Sequence, residues 1–417
     1  MRSRGGCATV DLVVAMTNAR TGLTIRTAED ADWPAMALLA ATCFGAFRPQ
    51  EAIDMWRTLI PADGAVVTCD GDDVIGMAFF LELQLTVPGG AVLPMAGVSW
   101  VCVSPTHRRR GVLREMFGEL HHRMAQAQYP IAGLEASEGG IYGRFGYGPA
   151  SIDETLTVDR REARFHTDAS DPGGVRVVRP LDHRAQLEEI YERWRLRTPG
   201  GLYTPPALWD EVFNDREVSR HGGSPFFVLL HDDGFAFYRV HGGGERKSVE
   251  LTKLAAVTGE AYTALWRTLL GLDLMDTITV HAPPGALLPY LLTDARLVRI
   301  TGNEDGLWLR ILDVPAVLEA RSYRADLSVV VDVSDGVLGG GGRFALEIRE
   351  GRARCERSGA EPDVYTELAV LGSVYLGTHR ASAFAAANRL RCNDSALITR
   401  LDAAFASEVP AQLGFGF

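Results

Sequence analysis

Val98-Ser99-Trp100-Val101-Cys102-Val103-Ser104-Pro105-Thr106-His107-Arg108-Arg109-Arg110-Gly111-Val112-Leu113-Arg114 is the stretch on which the reading of this chain turns. It begins as a β-rich strand, passes through a basic loop ending in glycine, and continues as an amphipathic helix. Gly111, Val112, Leu113, Met116, Phe117, Leu120 and Met124 recur at helical spacing. A helix N-terminus presents unpaired N–H groups, and its dipole favours an anion. Gly111 lets such an anion approach the backbone closely. Arg109, Arg110 or Arg114 can add charge-assisted hydrogen bonds. A pyrophosphate suits this arrangement. A solvated basic helix start has the same spacing, so the residues alone leave both readings open.

Outward from that stretch, strand and helix alternate. Leu23 to Arg26 reads as a short strand, and Asp32 as the cap of a helix with Trp33 and Pro34 in its first turn. Val66 to Cys69 and Val74 to Val87 read as strands joined by a turn at Gly71, Asp72 and Asp73. Pro88, Gly89 and Gly90 turn the chain into the strand Ala91 to Val103. Beyond the helix come a strand at Ile131 to Glu135, a short helix near Ile141 and a strand near Ile152 to Val158. A charged stretch from Arg160 to Gly174 reads as a linker. A second region then shows helices at Asp182 to Arg195 and Tyr262 to Gly271. Its strands fall at Phe226 to Leu230, Ala236 to Val240, Val249 to Ala256 and near Thr277 to His281. From about Gly306 the pattern changes to a helix, three strands with a Gly339–Gly342 loop, and closing helices. The expected class is α/β (α+β), with mixed sheets carrying helices. The expected parts are 1–22, a mobile extension; 23–160; 161–305; and 306–417.

Composition narrows the function. At 417 residues the chain is long enough for two or three domains. A net charge of -11 argues against a generic nucleic-acid binder, which needs a basic face. The cysteines Cys7, Cys43, Cys69, Cys102, Cys355 and Cys392 form no CxxC pair, so reduced thiols in a cytoplasmic protein and no metal site are expected. His121 and His122 are adjacent on a helix and make poor joint ligands. No apolar run is long enough for a membrane span. Asp11 interrupts the apolar stretch of the N-terminus, which reads as no signal peptide, and Met16 is an alternative start.

Arg108-Arg109-Arg110-Gly111-Val112-Leu113 resembles the Arg/Gln-x-x-Gly-x-Gly/Ala signature of the GNAT acetyltransferase superfamily, departing from it at Leu113. The resemblance implies acetyl-CoA as cosubstrate, with Val101, Cys102 and Val103 along the pantetheine arm. It places Arg108, Arg109, Arg110, Gly111, Val112, Leu113 and Arg114 at the phosphates. Glu138-Gly139-Gly140-Ile141-Tyr142-Gly143-Arg144-Phe145-Gly146-Tyr147-Gly148 resembles the superfamily's Tyr-x-x-x-Gly-Phe element. That implies Tyr142 as general acid to the departing thiolate, Tyr147 as a packing aromatic, and Ser137 and Glu138 beside the cofactor. The wider chain resembles the mycobacterial enhanced-intracellular-survival family of aminoglycoside and lysine N-acetyltransferases. Further matching stretches are Ile190 to Arg195 and Leu401 to Ser407. The resemblance implies two tandem GNAT-like mixed-sheet domains, the second without a cofactor site, then a sterol-carrier-protein-like domain, in a homohexamer. Cytoplasmic residence is expected, with export lacking a recognisable signal peptide as the alternative.

An ammonium has no lone pair, so acetyl transfer to an amine needs a base. The resemblance implies the C-terminal carboxylate of Phe417, reached by the aromatic ending Phe415-Gly416-Phe417. It also implies a substrate pocket with Trp56, Trp100 and Phe47, while Phe44 reads as ordinary core. Related proteins place acidic side chains beside the terminal Phe and after Phe44, where this chain has Gly416 and Gly45-Ala46. Glu138 and the Phe417 carboxylate are the candidate anions. The competing readings are a lipid or sterol carrier and a host-interaction protein, each with a vestigial GNAT part.

Overall fold

The structure, a computed structural model, describes residues 16–17, 22–243, 246–336 and 339–417. The expected N-terminal extension, Cys7 included, lies almost wholly outside the described residues. By contact density the chain divides into one unit of residues 1–82 and 98–128 and another of 83–97 and 129–417. The strands Asp73–Thr86 and Val92–Val103 run from one into the other.

In the first unit, Met16–Thr17, Thr24–Thr27, Ala65–Asp70 and Asp73–Thr86 pair antiparallel in that order, and Val92–Val103 follows. The helix Val112–Gln126 buries Val112, Met116, Phe117, Leu120, His121 and Met124, the stripe that its spacing predicts. His122 points to solvent while His121 is buried, so the two share no site. Asp32 begins the helix Trp33–Phe44 without capping it through its side chain. Its carboxylate instead takes the Arg26 guanidinium at 2.6 and 2.8 Å and the Glu29 N–H at 2.7 Å. A charged partner outcompetes the weaker cap. A second helix, Gln50–Leu59, buries Ala52, Ile53 and Trp56 on one face.

In the second unit, Val92–Val103 pairs parallel with Ile131–Glu135, in register from Met95↔Ile131 to Gly97↔Gly133. Leu307–Ile311 lies between Ile131–Glu135 and Gly148–Pro149. A seven-stranded sheet runs Val298–Asp305, Ile152–Asp159, Thr277–Ala282, Arg246–Ala256, Gly234–Gly243, Phe227–His231, Arg176–Val178. Its parallel pair, Arg246–Ala256 with Thr277–Ala282, is joined by the helix Gly259–Leu270. Two strands are exchanged across the divisions that the sequence suggests. Ile152–Asp159 bonds into the seven-stranded sheet, and Leu307–Ile311 bonds beside Ile131–Glu135. The remaining sheet orders Arg352–Arg357, Gly342–Arg349, Leu327–Ser334, Val364–Glu367, Leu390–Cys392. The helix Leu368–Tyr375, buried along its whole length, covers Leu307–Ile311.

Candidate active site

In the first unit the loop after Val103 is held by side chains. Ser104 and Thr106 share a hydrogen bond of 2.8 Å, Thr106 meets His107 Nδ1 at 2.8 Å, and His107 Nε2 meets Asp70 at 3.2 Å. His107 therefore braces the loop through Asp70. Arg109 adopts φ +64° and Gly111 φ +87°, so the chain turns left-handed twice before the helix. No side chain caps that helix, and a Cβ on Gly111 would meet nothing closer than 3.9 Å. Arg108, Arg109, Arg110 and Arg114 are exposed, and among the described residues none has a carboxylate partner. Four unneutralised guanidiniums around an uncapped helix N-terminus fit a polyphosphate. The helix Gly259–Leu270 differs, because Thr258 Oγ1 accepts the Ala261 N–H at 3.2 Å and occupies its N-terminus.

On the strand leading into the loop, Val101 and Val103 are half-buried while Cys102 is buried. Burial pushes the Cys102 thiol up, and neighbouring Cys43 adds to it, so Cys102 is no thiolate nucleophile. The Val103 carbonyl faces Cys43 Sγ at 3.7 Å and Arg108 Nε at 3.5 Å. Trp100 takes φ +49°, a rare conformation for a bulky residue in a strand. Its ring lies 5.5 Å from Phe79 and 5.5 Å from the Arg48 guanidinium. Trp56 is buried, and Phe47 is 78% exposed. Phe44, expected in the core, is 45% exposed. It is the last residue of Trp33–Phe44, where Gly45 at φ +76° ends the helix.

In the second unit, Ile131–Glu135 leads to exposed Ser137 and Glu138 and to the one-turn helix Gly139–Tyr142. Tyr142 is 7% exposed, and its ring meets Tyr147 edge-on at 6.4 Å. Tyr147 is fully enclosed, and burial raises its phenol. The Arg310–Asp335 pair at 2.7 Å, with Arg310 also donating to the Phe145 carbonyl at 2.5 Å, is buried beside this turn. A Cβ on Gly146 would collide with Arg310, and one on Gly148 with the Ala369 carbonyl. Both glycines are therefore required by close packing.

The chain terminus folds back onto this unit. The Phe417 N–H donates to Glu135 Oε2 at 2.8 Å. The Phe417 ring and Leu83 close over Gly97, where a Cβ would stand 2.9 Å from Phe417 Cε2 and 2.4 Å from Leu83 Cδ1. A Cβ on Gly416 would come within 2.9 Å of the Glu135 carboxylate. Glu135 keeps an accessible side, yet protein packed around its carboxylate raises its pKa. The Phe417 N–H opposes that rise, and Asp153 adds to it. Glu135 was not among the anions expected from sequence. It is one acidic residue at a strand end, and no motif marks it.

Residues 24–150 match an acetyltransferase (GNAT) domain family, 200–311 another acetyltransferase (GNAT) domain family, and 314–412 a sterol carrier protein domain family. The chain is 55% identical over 399 residues to the N-acetyltransferase Eis of Mycobacterium tuberculosis, across 93% of this chain and 97% of that one. This chain belongs to the Eis family of N-acetyltransferases. An uncharacterised N-acetyltransferase of Streptomyces coelicolor is 33% identical over 389 residues, across 89% of this chain and 94% of the relative. The crystal structure of Eis1 from Mycobacterium abscessus superposes with a TM-score of 0.85 at 30% identity, covering 95% of this chain and 100% of that one. A GCN5-related N-acetyltransferase from Anabaena variabilis shares the fold at TM-score 0.81 and 18% identity, covering 94% of this chain and 99% of that one. The Eis-family chain is thus an α/β N-acetyltransferase with two GNAT domains and a sterol-carrier-protein-like domain, and GNAT acetyltransferases use acetyl-CoA. Among the described residues no helix is long and apolar enough to cross a membrane.

Proposed function

We propose that this chain transfers acetyl directly, in a ternary complex, from acetyl-CoA to amines of aminoglycosides at several positions, with protein lysines as a second class of acceptor. The phosphates rest on Arg108, Arg109, Arg110 and Arg114 and on the N–H groups that follow Gly111. The pantetheine arm runs along Val101, Cys102 and Val103, and Ser137 and Glu138 flank the cofactor. Trp56, Trp100 and Phe47 receive the amine. Its nitrogen attacks the thioester carbonyl, so a C–N bond forms and the C–S bond breaks. Tyr142 Oη gives its proton to the departing thiolate, and the Phe417 carboxylate takes the proton that the nitrogen sheds. An α-carboxylate is a weak base, so it acts by orienting the amine or through a water. No metal is required. A homohexamer is the assembly that the family resemblance implies, with cytoplasmic residence.

The observation that carries this reading is the lodging of the last residue. Phe417 is fixed by its N–H on Glu135 and by its ring at Gly97. Gly97 belongs to Val92–Val103, the strand that continues through Trp100 and Val101 into the arginine loop. A frayed terminus would make neither contact. The carrier reading finds less support. The apolar cavity of the sterol-carrier-like domain, lined by Leu318, Val331, Phe344, Val370, Leu401 and Phe405, holds about 40 Å³. Small-molecule pockets run from about 300 Å³ upward.

Incubation with acetyl-CoA and kanamycin tests the proposal, read by thiol release and mass gain. An acetylated product at more than one amine is expected. Absence of any acetylated product would sink the aminoglycoside reading.

A further inference from the structure

The last residues are held along their whole length, and one of the holding groups is unusual. Gln412 N–H donates to the Pro199 carbonyl at 2.8 Å. Gly414 passes so close to Tyr191 Oη and the Leu202 amide that a Cβ there would overlap both. Phe415 packs against the cluster of Leu187, Ile190, Trp194, Val228 and Phe235. Lys253, on the strand Arg246–Ala256, donates from Nζ to the Gly414 carbonyl. Its ammonium sits 4.2 Å from the Trp194 ring centre and 5.3 Å from that of Tyr191.

Among the described residues no carboxylate lies within ion-pair distance of Lys253. A half-buried lysine whose ammonium has a carbonyl and two aromatic faces for partners, and no carboxylate, gives up hydration for them. Burial pulls its pKa down to about 7, and Asp153 resists that fall. What Lys253 does supply is a charge-assisted hydrogen bond to the backbone three residues before the terminus. Glu135 supplies the matching bond at the terminal residue itself, accepting the Phe417 N–H.

We propose that Lys253 and Glu135 are positioning residues that hold the C-terminal tetrapeptide at its two ends, Lys253 through the Gly414 carbonyl and Glu135 through the Phe417 amide, and so present the terminal carboxylate at one fixed place. This rests on the reading that the Phe417 carboxylate takes the substrate proton. Between the two holds lie Phe415, anchored in apolar packing, and Gly416, whose missing side chain leaves room for Glu135. With both holds in place the tetrapeptide has little freedom left. Loss of either lets the carboxylate drift, and a misplacement of about 1 Å costs roughly 100-fold in rate.

Steady-state kinetics of the full chain with acetyl-CoA and kanamycin test this, with Lys253→Met, Glu135→Ala, Glu135→Gln and a chain lacking Phe417. Lys253→Met and Glu135→Ala are expected to lower kcat by about 10- to 100-fold while the KM for acetyl-CoA stays within about twofold. Glu135→Gln, whose amide oxygen still accepts the Phe417 N–H, is expected to keep most of kcat. Lys253→Met added to the chain lacking Phe417 is expected to cause no further loss. Thermal melts of each variant check that the fold persists. The proposal is overturned if Lys253→Met and Glu135→Ala keep full turnover while removal of Phe417 abolishes it; the terminal base then stands without its holds. It is overturned equally if Glu135→Gln is as slow as Glu135→Ala, or if Lys253→Met costs as much without Phe417 as with it. Full turnover without Phe417 overturns both the proposal and the base on which it rests.

Discussion

The backbone N–H of Phe417 donates to Oε2 of Glu135 at 2.8 Å, across 282 positions of sequence. Glu135 ends the strand Ile131–Glu135, whose parallel pairing with Val92–Val103 runs to Gly97↔Gly133. The last residue of the chain is thus bound at the C-terminal end of Ile131–Glu135, an internal strand of its sheet.

Gly97 is the floor of that contact. A methyl group there would stand 2.4 Å from Leu83 Cδ1 and 2.9 Å from Phe417 Cε2, both tighter than packing allows, so the Leu83 side chain and the Phe417 ring must both move. Gly97→Ala is expected to lower kcat by roughly 10- to 100-fold with little change in the KM for acetyl-CoA. Steady-state kinetics against both substrates check this.

The two tyrosines of the Gly139–Gly148 element separate by role. Tyr142→Phe is expected to lower kcat more than Tyr147→Phe, because only Tyr142 is proposed to give up a proton. Fully enclosed Tyr147 is expected to report in the melting temperature instead. The comparison of kcat and Tm for the two variants checks the assignment, and the reverse order would overturn it.

The arginine loop predicts a salt-dependent binding defect. Arg109→Ala and Arg110→Ala are each expected to raise the KM for acetyl-CoA several-fold at low salt, less so as ionic strength rises. Gly111→Ala must hold φ +87° with a side chain, at a cost of about 1 kcal/mol. Titration with acetyl-CoA at two salt concentrations reads all three.

Removing one partner of the buried Arg310–Asp335 pair strands a charge. Asp335→Ala is expected to cost about 3–5 kcal/mol, visible as a large fall in Tm. Replacing both by apolar residues is expected to cost less than Asp335→Ala alone.

Acid stability follows from the Arg26–Asp32 contact. The Arg26 hydrogen bonds hold the Asp32 carboxyl below the usual carboxylate range. A carboxyl whose pKa is lower in the folded state stabilises the fold above its unfolded pKa, near 4. That contribution fades as pH falls through the folded value. Asp32→Asn is expected to lower Tm at neutral pH and to narrow the gap to the parent protein below about pH 4.

The strands Val92–Val103 and Ile131–Glu135 and the helix between them are legible locally, because short apolar runs bounded by turn residues and helical spacing mark them. Gln50–Leu59, with Ala52, Ile53 and Trp56 on one face, carries an amphipathic signal that the aromatic reading of Trp56 obscured. Val298–Asp305 is mostly exposed and polar, so no alternation announces it. The exchange of Ile152–Asp159 and Leu307–Ile311 is a fact of pairing between distant segments, which no window of sequence contains. Glu135 is invisible for the same reason. It acquires meaning only when Phe417 arrives from the other end of the chain.

The most direct measurement compares the full chain with one lacking Phe417, following thiol release from acetyl-CoA with kanamycin while acetyl-CoA binding is titrated separately. The account predicts that the shortened chain binds acetyl-CoA as before but loses most of its turnover. Full turnover by the shortened chain would contradict it.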